Sequence, residues 1–144
     1  GLTPRVTVVL DKATRTRELI EASGAFALQL PTRAQIALTV GVGTDSLHTV
    51  PDKLARHGVE LFEAPGADLP LVAGCVGWLA CRLRREPHNQ QAYDLFIGDV
   101  VGAWADERVF SAGRWQFGAA PDALRTIHHV AGGQFFVTGA AAQA

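Results

Sequence analysis

The sequence predicts a mainly β protein with short helices, its strands curling into a barrel. Three observations carry this. Ala73 to Arg84 is a long β-type run with Cys75, Leu79, Cys81 and Leu83 on one face and Val76, Trp78 and Ala80 on the other. Tyr93 to Trp104 repeats the pattern, with Leu95, Ile97 and Val101 on one side and Phe96, Val100 and Trp104 on the other. Strands apolar on both faces are covered on both sides, as when one face fills a barrel interior and the other meets a helix or a second subunit. Third, helical patterns come early and strand patterns late, so there is no regular βαβ alternation and a doubly wound sheet is disfavoured.

The elements follow in order. Arg5-Val-Thr-Val-Val-Leu10 is β-branched and apolar and reads as a strand. Asp11 to Arg17 is polar; Arg17 to Ser23 then reads as a short helix that Gly24 stops. Phe26 to Leu30 is a second strand, closed by Pro31. Thr32 caps a second helix carrying Ile36, Leu38 and Val40, and Gly41 to Ser46 reads as a turn. Pro51 to His57 is another helical piece, stopped by Gly58. A short run at 59–62 and a loop at 64–68 lead to the two long strands, joined by a hairpin loop at Glu86–Gln90. Strands near 108–111 and at 134–138 complete the set, and the small-residue tail from Gly139 reads as a frayed end.

Composition narrows the function. The 144 residues suit one domain, 1–144, and 48% apolar against 19% charged residues supply a core without the charge of a disordered chain. Thirteen Lys and Arg against fourteen Asp and Glu give a net charge of −1, which argues against a general nucleic-acid binder because phosphate neutralisation needs a cationic excess. The longest apolar stretch, Leu69 to Leu83, is interrupted by Pro70, glycines and Arg82, so no membrane span is expected. No charged segment followed by an apolar one opens the chain, so a secretion signal is not expected and the location is read as cytoplasmic. Cys75 and Cys81 lie too far apart along one extended segment to bridge and are too few for a zinc site, and read as reduced core thiols. The absence of methionine and the glycine at position 1 suggest a trimmed chain.

The strongest chemical candidate is Asp11-Lys-Ala-Thr-Arg-Thr-Arg17, which joins a strand to a helix start. Helix N-termini offer unpaired N–H groups and a positive dipole end, which suits a phosphate. Lys12, Arg15 and Arg17 add charge, and Thr14 and Thr16 add hydroxyls. Three cations there oppose the macrodipole, a conflict that a bound anion would relieve; the alternative is a threonine N-cap among solvated cations. Gly41-Val-Gly43 lacks a third glycine and does not follow a strand, so it is a poor dinucleotide fingerprint. His128 and His129, if on a strand, face opposite ways and cannot share a metal; no metal site is expected. No Gly-x-Ser-x-Gly elbow and no paired-acid site is present, so no catalytic side chain is assigned.

The order of several segments resembles the flavin reductase-like family. These are Pro4-Arg-Val-Thr-Val-Val-Leu10, Lys12 with Thr16-Arg-Glu-Leu-Ile20, and Gly24-Ala-Phe-Ala-Leu-Gln-Leu30. Asp52-Lys-Leu54 with Gly58, Leu69 to Cys81, Leu95-Phe-Ile-Gly-Asp-Val-Val101 and Leu124 to Phe135 continue the match over nearly the whole chain. The resemblance implies a Greek-key split β-barrel that binds FMN (or FAD) and takes hydride from NAD(P)H. It implies a homodimer and, as partner, a separate flavin-dependent monooxygenase that receives the reduced flavin. Carried over by position, Lys12, Thr14, Arg15, Thr16 and Arg17 hold the flavin phosphate, and His128 lies near the nicotinamide. Two departures stand out. The family's N-terminal β-hairpin, expected before Pro4 with its backbone on the flavin ring, is missing, and Tyr93 replaces a histidine common in relatives. Competing readings are a flavoredoxin-like electron carrier, a non-catalytic barrel mediating dimer contacts, and a haem- or pyridoxal-phosphate-linked relative on the same barrel.

Overall fold

The computed structural model describes residues 2–46 and 48–144. Its centre is a curled antiparallel sheet of β1 (Arg5–Val9), β6 (Leu95–Ala105), β5 (Gly77–Arg84) and β2 (Ala25–Leu30), in that order. The fold is a half-barrel with short helices, as the two-faced apolar strands predict. β1 and β2 form its two edges. The inner face collects Phe26, Cys81, Leu83 and Phe96, and Ile20 from α1 (Arg15–Ser23) closes over them. Val6, Val8, Leu28, Leu79 and Val100 pack around this core, the alternation that a half-buried strand demands. Gly98 makes it possible: a Cβ there would stand 2.5 Å from the Phe26 ring tip and 3.1 Å from the Cys81 Cβ. Both thiols are buried and unpaired.

One irregularity rearranges the outer face. Ala80 pairs with Gly102 and Cys81 with Val100, so Val101 is an extra residue and β6 bulges there. The bulge reverses the alternation beyond it. Trp104 therefore sits opposite Trp78 and not on the Phe96 face where a regular strand would put it. Trp78 is pinned outside by its indole N–H to the Val72 carbonyl, 2.9 Å, and by an edge contact with Phe62. Phe62 and Val72 belong to a small ribbon of β3 (Leu61–Phe62) and β4 (Leu71–Val72). The expected strand from Ala73 thus begins at Gly77, with β4 separate from it.

Two expected loops are helical. α2 (Ile36–Thr44) runs through the predicted turn at 41–46 because its last carbonyls find a cation: Lys53 Nζ donates to Val42 O at 3.0 Å and Asp45 O at 3.1 Å. Lys53 opens α3 (Lys53–Arg56). The predicted hairpin loop after Arg85 is α4 (Pro87–Tyr93), with Pro87 in its first turn and Asp94 as a left-handed C-cap, φ 55°.

Beyond β6 the chain makes a ribbon of β7 (Phe110–Ser111) and β8 (Arg114–Trp115) and a hairpin of β9 (Ile127–Ala131) and β10 (Gln134–Val137). The hairpin is tied back by a Thr32–Thr126 bridge and by Arg33 N–H to Arg125 O, 2.9 Å. No helix among the described residues is long and apolar enough to cross a membrane.

Candidate functional site

The Asp11–Arg17 segment forms a tight turn that delivers α1. Asp11 Oδ1 accepts the Ala13 N–H at 2.7 Å, and its carbonyl accepts the Thr14 hydroxyl at 2.9 Å. Thr14 is the N-cap, its Oγ1 accepting the Arg17 N–H at 3.3 Å. The Arg15 and Thr16 N–H groups have no intrachain partner among the described residues. Asp11, Ala13, Thr14, Arg15 and Thr16 line one side of a cavity of about 710 Å³. Its far wall is Val42–Ser46, the end of α2, with Lys53.

The cations fall into two groups. Arg15 faces the cavity and pairs with Glu18 at 2.8 Å. His48 reaches the same carboxylate at 3.2 Å, and the Arg15 hydrogen bond holds Glu18 below the usual carboxylate range. Arg17 does not line the cavity. It is 4% exposed and fully engaged. Nε donates to Glu21 at 2.8 Å, Nη1 to Leu10 O at 2.9 Å and Asp94 at 2.6 Å, and Nη2 to Gln90 O at 2.8 Å. Its carbon lies 4.9 Å from the centre of the Phe96 ring. Arg17 thus plugs one end of the half-barrel and supports the turn from beneath, while Arg15 and Thr16 line the cavity. Lys12 ion-pairs with the same Asp94 oxygen. Hydrogen bonds from Lys12, then Arg17, depress the Asp94 pKa, while bonds to Glu21 and Asp94 raise that of Arg17. Much of the conflict between three cations and the helix dipole is resolved inside the chain, by Asp94, Glu18 and Glu21.

The far wall is built as firmly. His57 Nε2 lies 2.7 Å from Asp45 Oδ2, and the His57 ring rests on Gly41 so closely that a Cβ there would fall within it. The two carboxylates bordering the cavity are therefore both engaged, Asp11 by an N–H and Asp45 by a histidine. What remains for an incoming group is two N–H donors, the Thr16 hydroxyl and the Arg15 guanidinium beside Glu18, since the Thr14 and Thr44 hydroxyls already donate to Asp11 O and Val40 O. That donor set fits a phosphomonoester.

His128 lines neither this cavity nor its neighbour. On β9 it pairs with Phe136 on one face of the hairpin, whereas His129 pairs with Phe135 on the other. Sequence reasoning missed Asp94, Gln90, Lys53 and His57. Only spacing could have flagged them: Arg17 stands three before Ile20 and four before Glu21, a buried helical stripe, and Lys53 and His57 share one face.

A curled antiparallel half-barrel with a donor-lined cavity at the start of α1 is the architecture of a split-barrel domain. The chain belongs to the flavin reductase-like domain family, which matches residues 2–123. It is 43% identical over 137 residues to the uncharacterized protein YddH of Escherichia coli (strain K12), covering 94% of this chain and 71% of that protein. An FMN-binding domain of a flavin reductases-like enzyme from Shewanella baltica OS155 superposes with a TM-score of 0.95 at 56% identity, covering 98% of this chain and 74% of that one. The flavoredoxin of Methanosarcina acetivorans shares the fold at a TM-score of 0.72 and 20% identity, over 99% of this chain and 73% of its own.

Proposed function

We propose that this chain binds FMN and acts as an NAD(P)H-dependent flavin reductase. The observation that carries the reading is that Arg15 and Thr16, whose N–H groups have no intrachain partner among the described residues, line a cavity whose bordering carboxylates are already engaged. Family membership and the 56% identity to a domain described as FMN-binding support it. When bound, FMN would accept a hydride from the nicotinamide, so the protein's part is to hold and orient. Arg15 and Thr16 bind the phosphate, with Thr14 fixing the helix start; Lys12, outside the cavity lining and paired with Asp94, adds positive charge to the same turn. Arg17 positions the turn from inside the barrel.

The reading extends to a cytoplasmic homodimer that passes reduced flavin to a separate monooxygenase. Val9, Tyr93 and Val101 are 71%, 64% and 51% exposed, and a second copy covering any of them would remove apolar area from water. The test is a titration of the protein with FMN followed by flavin fluorescence, then steady-state NADH and NADPH oxidation with FMN present. Saturable quenching with turnover is expected. Quenching without turnover points to an electron carrier, and no quenching overturns the proposal.

A further inference from the structure

Next to the phosphate cavity lies a second one, of about 550 Å³, and the two share Gly43 and Thr44 as a common wall. Its floor is an aromatic pair. His129 and Phe135 stack with ring centres 4.7 Å apart and planes 30° from parallel. The pair comes from the β9–β10 register, which places them directly opposite on the face turned towards α2. The loop between the strands is Gly132-Gly133, with φ of 58° and 85°, the left-handed pair that a two-residue hairpin turn requires. A Cβ at either glycine would meet nothing within 4 Å, so the turn leaves open space beside the rings.

The platform is also held in place. Besides the Thr32–Thr126 bridge, Arg125 Nη1 donates to Thr138 O at 2.9 Å and Gly139 O at 3.0 Å, tying both ends of the hairpin together. Stacked rings on a fixed hairpin offer a π-face to a planar group, and a threonine-bearing helix wall (Thr39) offers a hydroxyl to its polar edge. Such a cavity, one shared wall beyond a phosphate site, matches the layout of a dinucleotide. In FAD the phosphate of the FMN half would take the first cavity and the adenosine the second; in a nicotinamide dinucleotide bound beside FMN the adenosine alone would enter the second.

We propose that His129 and Phe135 form a stacking platform for the adenine base of a dinucleotide. This rests on the phosphate reading of the neighbouring cavity. The adenine can belong to FAD or to the nicotinamide dinucleotide, and the experiment separates them. Dissociation constants for FMN and FAD are measured by fluorescence titration, and KM for NADH by turnover, in the parent, His129→Ala and His129→Phe. His129→Ala is expected to weaken one adenine-bearing ligand about tenfold, the size of one lost base–aromatic stack. A rise in the FAD-to-FMN ratio of dissociation constants assigns the base to the flavin dinucleotide; a rise in KM for NADH assigns it to the reductant. His129→Phe, which keeps a ring, restores the parent value in the arm that moved. Parent-like FAD and NADH values in His129→Ala, with FMN still bound by the parent, overturn the platform alone. A parent that fails to bind FMN overturns both the platform and the phosphate reading.

Discussion

Arg17 and Asp94, 77 residues apart, meet at 2.6 Å where α1 enters the barrel and β6 leaves α4. The same Asp94 oxygen takes Lys12, so one carboxylate fixes both the turn and the helix behind it. The helix start is thereby oriented by the sheet and not by local propensity alone.

Arg17→Ala should therefore act on folding first. It leaves Asp94 and Glu21 without their buried partner and two backbone carbonyls, Leu10 and Gln90, without a donor. A fall in Tm of about 5 °C or more is expected, with flavin affinity falling in parallel. Arg17→Lys should recover little, because one ammonium cannot replace the planar fork. A variant with parent Tm and lost flavin binding would instead place Arg17 at the ligand.

Substitution at the cavity mouth should do the opposite. Arg15→Ala with Thr16→Ala is expected to weaken FMN binding by roughly ten- to a hundredfold, since a charge-assisted bond is worth about 1.5–3 kcal/mol. Tm should change little, as Arg15 and its partner Glu18 are both exposed. Thr14→Ala removes the cap and should cost about 1 kcal/mol in denaturant unfolding.

The Asp94 pair also sets an acid limit. Its folded pKa is depressed by Lys12 and Arg17, so its contribution to stability is fully present above the unfolded value of about 3.9. It is lost as pH falls from there through the lower folded value. Parent and Asp94→Asn should differ in urea midpoint by a constant amount from pH 5 to 7 and converge below about pH 4. A gap that persists at acid pH would show that the pair does not act through ionisation.

Gly41 and His57 offer a test of the far wall. Gly41→Ala should displace the imidazole and release Asp45, loosening residues 42–46. In the His57→Ala background the same change should cost much less, giving a coupling of about 1 kcal/mol in a double-mutant cycle. Additive losses would mean that the ring is free to move aside.

The two thiols should resist modification in the folded state. Burial raises the pKa of both, so native protein should react slowly with a disulfide reagent and release two equivalents only in denaturant.

Much of this fold was legible because its signals are local. The apolar runs on β1, β2, β5 and β6, the threonine cap and the Gly24 stop all come from short-range patterns. What escaped depended on distant partners. α2 outruns its predicted turn because Lys53 and His57 come back onto it, and α4 forms from a polar stretch that Pro87 and Asp94 bracket. The bulge at Val101 has no sequence mark, yet it decides which side Trp104 occupies. At the site, the cluster of cations was visible but not their division of labour. Burial of Arg17 follows from the Asp94 carboxylate at the C-cap of α4, the Gln90 carbonyl within α4 and the Leu10 carbonyl after β1.

The unpaired rims of the curled sheet have a consequence for handling the molecule. Among the described residues no further strand pairs with the outer side of β1 or β2, and such edges can accept a strand. Filament or precipitate formation should then rise with concentration, and a proline on the free side of β1 should suppress it without disturbing the start of α1.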